Sequence, residues 1–362
     1  MRIQYASPIA MLAATALSLG CNKASEPGGT EKTVPGTAPA KGEAVELHGA
    51  GATFPYPLYS KWFSEYGKVH ANVRINYQSI GSGGGIRQIT ERTVDFGASD
   101  APMTAEELAK APKILHVPMT LGAVVITYNV PGVDKLQLTP ALVTSLFMGE
   151  IKKWNDPRLA KANPSAKLPD LAVTPAYRSD GSGTTAVFTD YLAKVSAPWK
   201  EKVGAGKSVK FPVGMGAKGN EGVTGVAKTT PGTIAYVELA YAKQNNLPLA
   251  TVQNAAGKWV EPALESISAA AAGVQIPGDF RVSITDPKGE AAYPIAAFTY
   301  LLVYQEQPDA QKGKTLLDFL RWAVHEGQAL GGPLHYAALP AEVVTRVDAQ
   351  LKTVTLAGKP AL

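Results

Sequence analysis

Three segments of the chain share a pattern that suits the binding of an anion. Each has an apolar strand, a cluster of glycine and hydroxyl residues, and then the start of a helix; they are residues 47–54, 79–85 and 178–184. A helix start leaves backbone N–H groups unpaired and carries partial positive charge, while glycine admits the anion and hydroxyls donate to it. A capped helix alone would explain any single segment. Three together, one of them containing Arg178, predict convergence on a single anion.

A carboxylate stands out among these donor-rich segments. Residues 94–102 indicate a strand that ends at Asp100, and Thr104 with Glu107 then predicts a capping box at the next helix. Two interpretations of Asp100 are open. It could have a local structural role in a turn or helix cap, or it could be the one hydrogen-bond acceptor in an anion site otherwise lined by hydrogen-bond donors. An ionised carboxylate only accepts hydrogen bonds, so beside an anion it requires a proton on the ligand. Phosphate near neutral pH carries such a proton, and sulfate does not.

Several motifs together resemble the periplasmic phosphate-binding proteins of phosphate-specific ABC transporters. They are GAGATFP from Gly49, the glycine-rich segment after Ser79, VDFGASDAP from Val94 and RSDGSGT from Arg178. Further stretches fit the same family: GEIKKWNDP from Gly149, FTDYLAKV from Phe188, residues 217–223 and YVELAYAKQNNLP from Tyr236. The resemblance covers roughly residues 47–347.

The resemblance implies a set of phosphate-binding residues. They are Thr53, Phe54 through its backbone amide, Ser82, Asp100, Arg178, Ser182, Gly183 and Thr184, with Asp180 holding Arg178. A guanidinium is a planar fork that suits two phosphate oxygens. The family is a transport receptor, so no catalytic residue and no cofactor is implied. The implied partners are inorganic phosphate and a transmembrane permease driven by a cytoplasmic ATPase, and the receptor is expected to be a monomer.

The elements that would position these residues indicate an α/β protein. Apolar patterning predicts strands at 73–77, 123–128, 171–177, 233–237 and 300–304, and helices through Leu58, Trp62 and Tyr66 and at 139–147, 184–192, 315–325 and 340–351. With 362 residues the chain can form two cores. The resemblance to periplasmic phosphate-binding proteins further implies their two-lobed fold, with a hinge and a ligand cleft between the lobes. Lobe 1 would comprise 45–128 and 298–362, and lobe 2 would comprise 129–297.

The N-terminal residues predict export and a lipid anchor. Arg2 precedes an apolar stretch that ends at Gly20, too short to span a bilayer but long enough for a signal peptide over residues 1–20. Cys21 is the one cysteine of the chain, and LSLGC resembles a bacterial lipobox. An ordinary signal peptide with an incidental cysteine is the alternative. Residues 21–44, poor in large apolar side chains, would be a flexible tether, which places the protein on the periplasmic or cell-surface side of a membrane.

Composition and motif spacing argue against other functions. The net charge of +5 comes from scattered residues, which disfavours nucleic acid binding. The G-x-S-x-G elbow of serine hydrolases needs glycine where Ile80 and Asp180 stand, and Glu201 occupies the first glycine position of a P-loop. Residues 214–219 match the G-x-G-x-x-G motif of dinucleotide-binding sites. We interpret them instead as a loop at the start of a helix. The five histidines are dispersed, so no metal site is predicted. A phosphatase or a phosphate-sensing signalling protein remains as an alternative.

Overall fold

The computed structural model describes residues 44–361, within which strands and helices alternate along the chain. The signal peptide, Cys21 and the tether up to residue 43 lie outside the described residues. The strands are β1 Val45–Gly51, β2 Val73–Ser79, β3 Phe96–Ser99, β4 Ile114–Tyr128, β5 Gln137–Leu138, β6 Thr174–Arg178, β7 Met215–Ala217, β8 Thr233–Glu238, β9 Thr251–Gln253, β10 Trp259–Val260, β11 Ala296–Tyr304, β12 Glu306–Gln307, β13 Thr355–Leu356 and β14 Lys359–Pro360. The α-helices are α1 Tyr56–Val69, α2 Ser82–Thr90, α3 Ala105–Lys110, α4 Pro140–Phe147, α5 Pro157–Ala162, α6 Gly183–Val195, α7 Ala197–Lys202, α8 Gly219–Thr229, α9 Leu239–Gln244, α10 Leu264–Ala271, α11 Ala310–Val324 and α12 Ala341–Leu351.

One mixed sheet carries the ends of the site-bearing segments. Its strand order is β2-β1-β3-β11-β4-β8-β6-β7. Strands β1, β2 and β3 run parallel to one another, as do β6, β7 and β8. The long strand β4 joins these groups, because residues 114–123 pair antiparallel with β11 and residues 124–128 pair antiparallel with β8. All of β11 and nearly all of β4 is buried, so the core follows the centre of this sheet.

Most of the predicted elements are present with shifted ends. Helix α1 buries Leu58, Trp62 and Tyr66 on one face, and β2 contains the predicted strand at 73–77. The predicted helix at 315–325 begins earlier, at Ala310, because Asp309 caps it. The predicted strand at 171–177 begins at Thr174, because the preceding residues hydrogen-bond to residues 152–154 instead of the main sheet. The capping box of Thr104 and Glu107 is present at the start of α3.

The helix that follows the second glycine-rich segment, residues 79–85, begins earlier than the sequence pattern predicts. Helix α2 already begins at Ser82, so the three glycines form its first turns. A Cβ atom on Gly85 would lie 2.6 Å from the carbonyl oxygen of Ala50, and one on Gly83 would lie 3.1 Å from the Cα of Gly181. Close backbone approach therefore explains Gly83 and Gly85.

Candidate anion-binding site

A buried arginine and its carboxylate partner lie at the end of β6. The side chain of Arg178 is 1% exposed. Its Nε donates to Asp180 Oδ1 at 2.7 Å and its Nη2 donates to Oδ2 at 2.5 Å, which is a bidentate pair. Burial acts to raise the pKa of Asp180, but the hydrogen bonds and charge of Arg178 outweigh it and hold that pKa below its ordinary value. The pair stays ionised, and it leaves part of the guanidinium's donors for a further acceptor.

The start of helix α6 faces this arginine. Ser182 is the N-cap, and its Oγ accepts from the N–H of Thr185 at 3.0 Å. The hydroxyl of Thr184 lies 3.4 Å from Nη1 of Arg178. Within residues 44–361 the backbone N–H of Thr184 has no hydrogen-bond partner. A capped helix start and an anion site are thus compatible here. The Ser182 cap uses the N–H of Thr185 and leaves the N–H of Thr184 near the guanidinium of Arg178.

Ser82 connects the second segment to the third. Its Oγ accepts from the N–H of Gly183 at 3.0 Å and from the N–H of Asp100 at 3.3 Å. In addition the N–H of Gly83 donates to the carbonyl of Gly181 at 2.8 Å. Segments that are about a hundred residues apart in the chain therefore meet directly at their helix starts.

Asp100 is buried at the centre of these contacts, one residue beyond β3. It is 3% exposed, and its Oδ1 accepts from Thr299 Oγ1 at 2.9 Å while Oδ2 lies 3.5 Å from Ser82 Oγ. Burial raises the pKa of Asp100 to about 7, although Thr299, Arg178 and Ser82 oppose the rise. A carboxyl group with this pKa can either hold a proton or accept one from a ligand near neutral pH.

The first segment contributes a hydroxyl and an unpaired backbone N–H. Thr53 Oγ1 accepts from Asn220, from the backbone N–H at 3.2 Å and from Nδ2 at 2.8 Å. Phe54 is fully buried, and its N–H has no hydrogen-bond partner among the described residues. Buried N–H groups are nearly always paired, so this one suits a ligand atom.

Asn220 and Thr299 belong to the site, although the sequence patterns do not identify them. Asn220 Nδ2 donates to Thr53 and also to Thr184 Oγ1 at 3.1 Å, and its Oδ1 accepts from the N–H of Glu238 at 3.0 Å. Thr299, on β11, holds Asp100. Asn220 lies in a stretch that matches the family named above, which is the one signal that could have indicated it; Thr299 has no local signal.

The two glycine motifs set aside in the sequence lie in different local structures. Gly204 and Gly206 are not followed by a helix as a P-loop requires, and residues 214–219 contain β7 and lead into α8. The N–H of Gly219 donates to Asp180 at 3.0 Å, so this stretch supports the anion site. Residues 44–361 contain no group of three or more histidine, cysteine or acidic side chains that could hold a metal ion. None of the helices described is long and apolar enough to span a bilayer.

Comparisons with known proteins agree on one family. Residues 33–326 match the family model described as the PBP superfamily domain. The chain is 43% identical over 359 residues to the phosphate-binding protein PstS of Xylella fastidiosa, covering 96% of this chain and 98% of that protein. It is 46% identical over 315 residues to PstS of Pasteurella multocida, covering 86% and 91%. In fold it is similar to PfluDING, a periplasmic phosphate-binding protein solved with bound phosphate, with a TM-score of 0.70 at 24% identity over 84% of this chain and 93% of that one.

Proposed function

This chain belongs to the PBP superfamily and, within it, to the PstS-type phosphate-binding proteins, and we propose that it binds inorganic phosphate and delivers it to an ABC-type importer. Its α/β fold is the fold of that superfamily. The relatives are named as binding proteins, so the chain is a binding component and not an enzyme. Inorganic phosphate and a transmembrane permease are its partners in this proposal.

One observation supports phosphate as the ligand: the buried carboxyl group of Asp100 lies among hydrogen-bond donors. Arg178, Thr184 N–H and Phe54 N–H offer positive charge or protons to an anion, and Asp100 faces the same cluster as an acceptor. Hydrogen bonds to charged groups contribute about 1.5–3 kcal/mol each, so several of them support micromolar or tighter binding. Asp100 then selects the anion that brings a proton.

The proposal is tested by titration calorimetry of the purified, phosphate-free protein with phosphate and with sulfate. We expect tight phosphate binding, and rejection of sulfate by about 10⁴-fold because sulfate leaves Asp100 facing oxygen lone pairs. The Asp100→Asn variant has an amide that can donate a hydrogen bond. The ratio of phosphate affinity to sulfate affinity should therefore decrease, and sulfate binding should become measurable. Equal affinity of the wild type for both anions would contradict the proposed ligand, and a variant that keeps the full preference would remove Asp100 from the selection.

We further propose that two lobes close around the phosphate. The lobes are those expected from the sequence, 45–128 with 298–362 and 129–297. Thr53, Ser82 and Asp100 come from the first, and the segment that begins at Arg178 comes from the second. The contacts between Ser82 and Gly183 and between Gly83 and Gly181 join the two sets, which supports a closed arrangement. Strand β4 pairs with β11 up to Ala123 and with β8 beyond it, and this change of partner supports a hinge within β4.

The proposed location of the protein rests on the sequence of residues 1–44. We propose that the signal peptide directs export, that Cys21 becomes the lipidated N-terminus and that the tether leads from the membrane to the folded body. PfluDING, similar in fold, is described as periplasmic. A receptor held outside the cytoplasmic membrane as a monomer can present phosphate to a permease in that membrane.

A further inference from the structure

A row of tyrosine hydroxyls holds the backbone of the first binding segment. Three successive carbonyl oxygens of this segment each accept a hydrogen bond from a buried or half-buried tyrosine. The bonds run from Tyr77 to Ala52 at 2.8 Å, from Tyr241 to Thr53 at 2.6 Å and from Tyr336 to Phe54 at 2.7 Å. The three tyrosines come from β2, from α9 and from the residues before α12, so distant parts of the chain converge on one short stretch.

The geometry of the peptide bond gives the middle contact a special consequence. In a planar trans peptide the C=O of one residue and the N–H of the next point in opposite directions. The carbonyl of Thr53 and the N–H of Phe54 belong to the same peptide unit, and the structure contains no cis peptide among the described residues. The carbonyl of Thr53 accepts from the Tyr241 hydroxyl at 2.6 Å and, with a longer bond of 3.2 Å, from the N–H of Tyr56. The shorter bond from Tyr241 therefore helps to fix the direction of the unpaired Phe54 N–H. A hydrogen bond to the carbonyl also polarises the amide and strengthens its N–H as a donor.

We propose that Tyr241 is a positioning residue of the phosphate site, which aims the Phe54 N–H at the anion through the Thr53 carbonyl. This inference rests on the proposed function. Tyr241 is 6% exposed, and its hydroxyl also lies 3.0 Å from Glu221 Oε1. Burial and the neighbouring Glu221 raise the pKa of Tyr241, so the hydroxyl keeps the proton that it donates.

Tyr336 provides a matched control for Tyr241. Its hydroxyl donates to the adjacent carbonyl, that of Phe54, at nearly the same distance, and it too lies 3.0 Å from a glutamate oxygen, that of Glu238. The peptide unit that begins at the Phe54 carbonyl ends at Pro55, and proline has no N–H. Tyr336 therefore holds the backbone without aiming a donor, so the two tyrosines differ in the feature on which the inference depends.

The test compares Tyr241→Phe with Tyr336→Phe by phosphate titration and by urea unfolding. Each substitution removes one buried hydroxyl and keeps the ring, so we expect similar losses of stability. Phosphate affinity should fall roughly 5- to 10-fold in Tyr241→Phe, which is the effect of about one hydrogen bond, and by less than about twofold in Tyr336→Phe. Equal weakening in the two variants, or unchanged affinity in Tyr241→Phe, would overturn the inference.

A spectroscopic measurement separates aiming from general loosening. With ¹⁵N-phenylalanine labelling the nine phenylalanines of the chain give a simple spectrum, in which Phe54→Leu identifies the Phe54 signal. Phosphate should move this signal strongly downfield in the wild type and in Tyr336→Phe, and clearly less in Tyr241→Phe. An equal phosphate-induced shift of the Phe54 signal in all three proteins would overturn the role of Tyr241 but not the proposed function. A wild type that does not bind phosphate would instead overturn the proposed function, and this inference with it.

Discussion

Replacing Asp100 by asparagine should stabilise the phosphate-free protein, and increasingly so as the pH rises. Asp100 is 3% exposed and accepts one short hydrogen bond, from Thr299. Burial raises the pKa of its carboxyl group from 3.8 to about 7 in the folded protein. Ionising this group without a ligand is therefore unfavourable, whereas an asparagine at the same place stays neutral at every pH.

The sign and size of the effect follow from proton linkage. The folded state holds the Asp100 proton more tightly than the unfolded state, so the stabilisation is complete below about pH 4 and is lost as the pH rises through about 7. A pKa difference of about three units corresponds to about 4 kcal/mol over the whole range, and about 2 to 3 kcal/mol of this is lost between pH 5 and pH 8. The advantage of Asp100→Asn over the wild type should grow by that amount across this interval.

Urea unfolding of both proteins, freed of phosphate, at one-unit steps from pH 5 to pH 8 measures this difference. Asp170→Asn serves as the control, because the side chain of Asp170 is 63% exposed and pairs with Lys153 at the surface. Its difference from the wild type should change little over the same range. A free-energy difference between wild type and Asp100→Asn that stays constant from pH 5 to pH 8 would refute the assignment of a raised pKa to Asp100.

Three further substitutions test the remaining parts of the site and the anchor. Arg178→Lys should weaken phosphate binding at least tenfold in calorimetry, because an ammonium cannot reproduce the fork that pairs with Asp180; an unchanged dissociation constant would place the site elsewhere. Gly183→Ala should weaken phosphate binding by more than about tenfold, because its Cβ would lie 2.5 Å from two oxygen atoms of the site, whereas Gly225→Ala, with no atom within 4 Å, should bind normally. Equal binding by these two alanine variants would refute the close fit at the start of α6. Cys21→Ser should leave phosphate affinity intact and release the protein from membranes in cell fractionation, and equal membrane retention would contradict the lipid anchor.

The sequence predicts those parts of the site that consist of residues close together in the chain. The three glycine and hydroxyl segments, the carboxylate after β3 and the capping box at Thr104 are defined by a few neighbouring residues, and the structure brings the three segments together. The start of α2 could not be predicted in the same way, because glycine is a poor helix former. What selects glycine at Gly83 and Gly85 is the close approach of other backbone segments, whose atoms would lie 2.5–3.1 Å from an added Cβ atom, and no local pattern contains this.

The supporting residues Asn220 and Thr299 could not be predicted from local sequence patterns, for a different reason. Asn220 contacts Thr53 across 167 positions of the chain, and Thr299 contacts Asp100 across 199. An amide or a threonine is common in any sequence and has no characteristic spacing when its partner is that distant. Only the order of strands in the sheet, with β11 between β3 and β4, brings Thr299 beside Asp100.

The place of β11 in the sheet also constrains how the chain can fold as it is made. This strand comes from residues 296–304, yet it fills the gap between β3 and β4, which come from the first 128 residues of the chain. A nascent chain that has not reached residue 296 leaves both neighbouring strands with open edges, and such edges are prone to aberrant pairing. Completion of the sheet must await nearly the whole polypeptide, which makes folding non-local and slow. A chain truncated before β11 leaves the facing edges of β3 and β4 unpaired, so we expect it to aggregate more readily than the full-length protein.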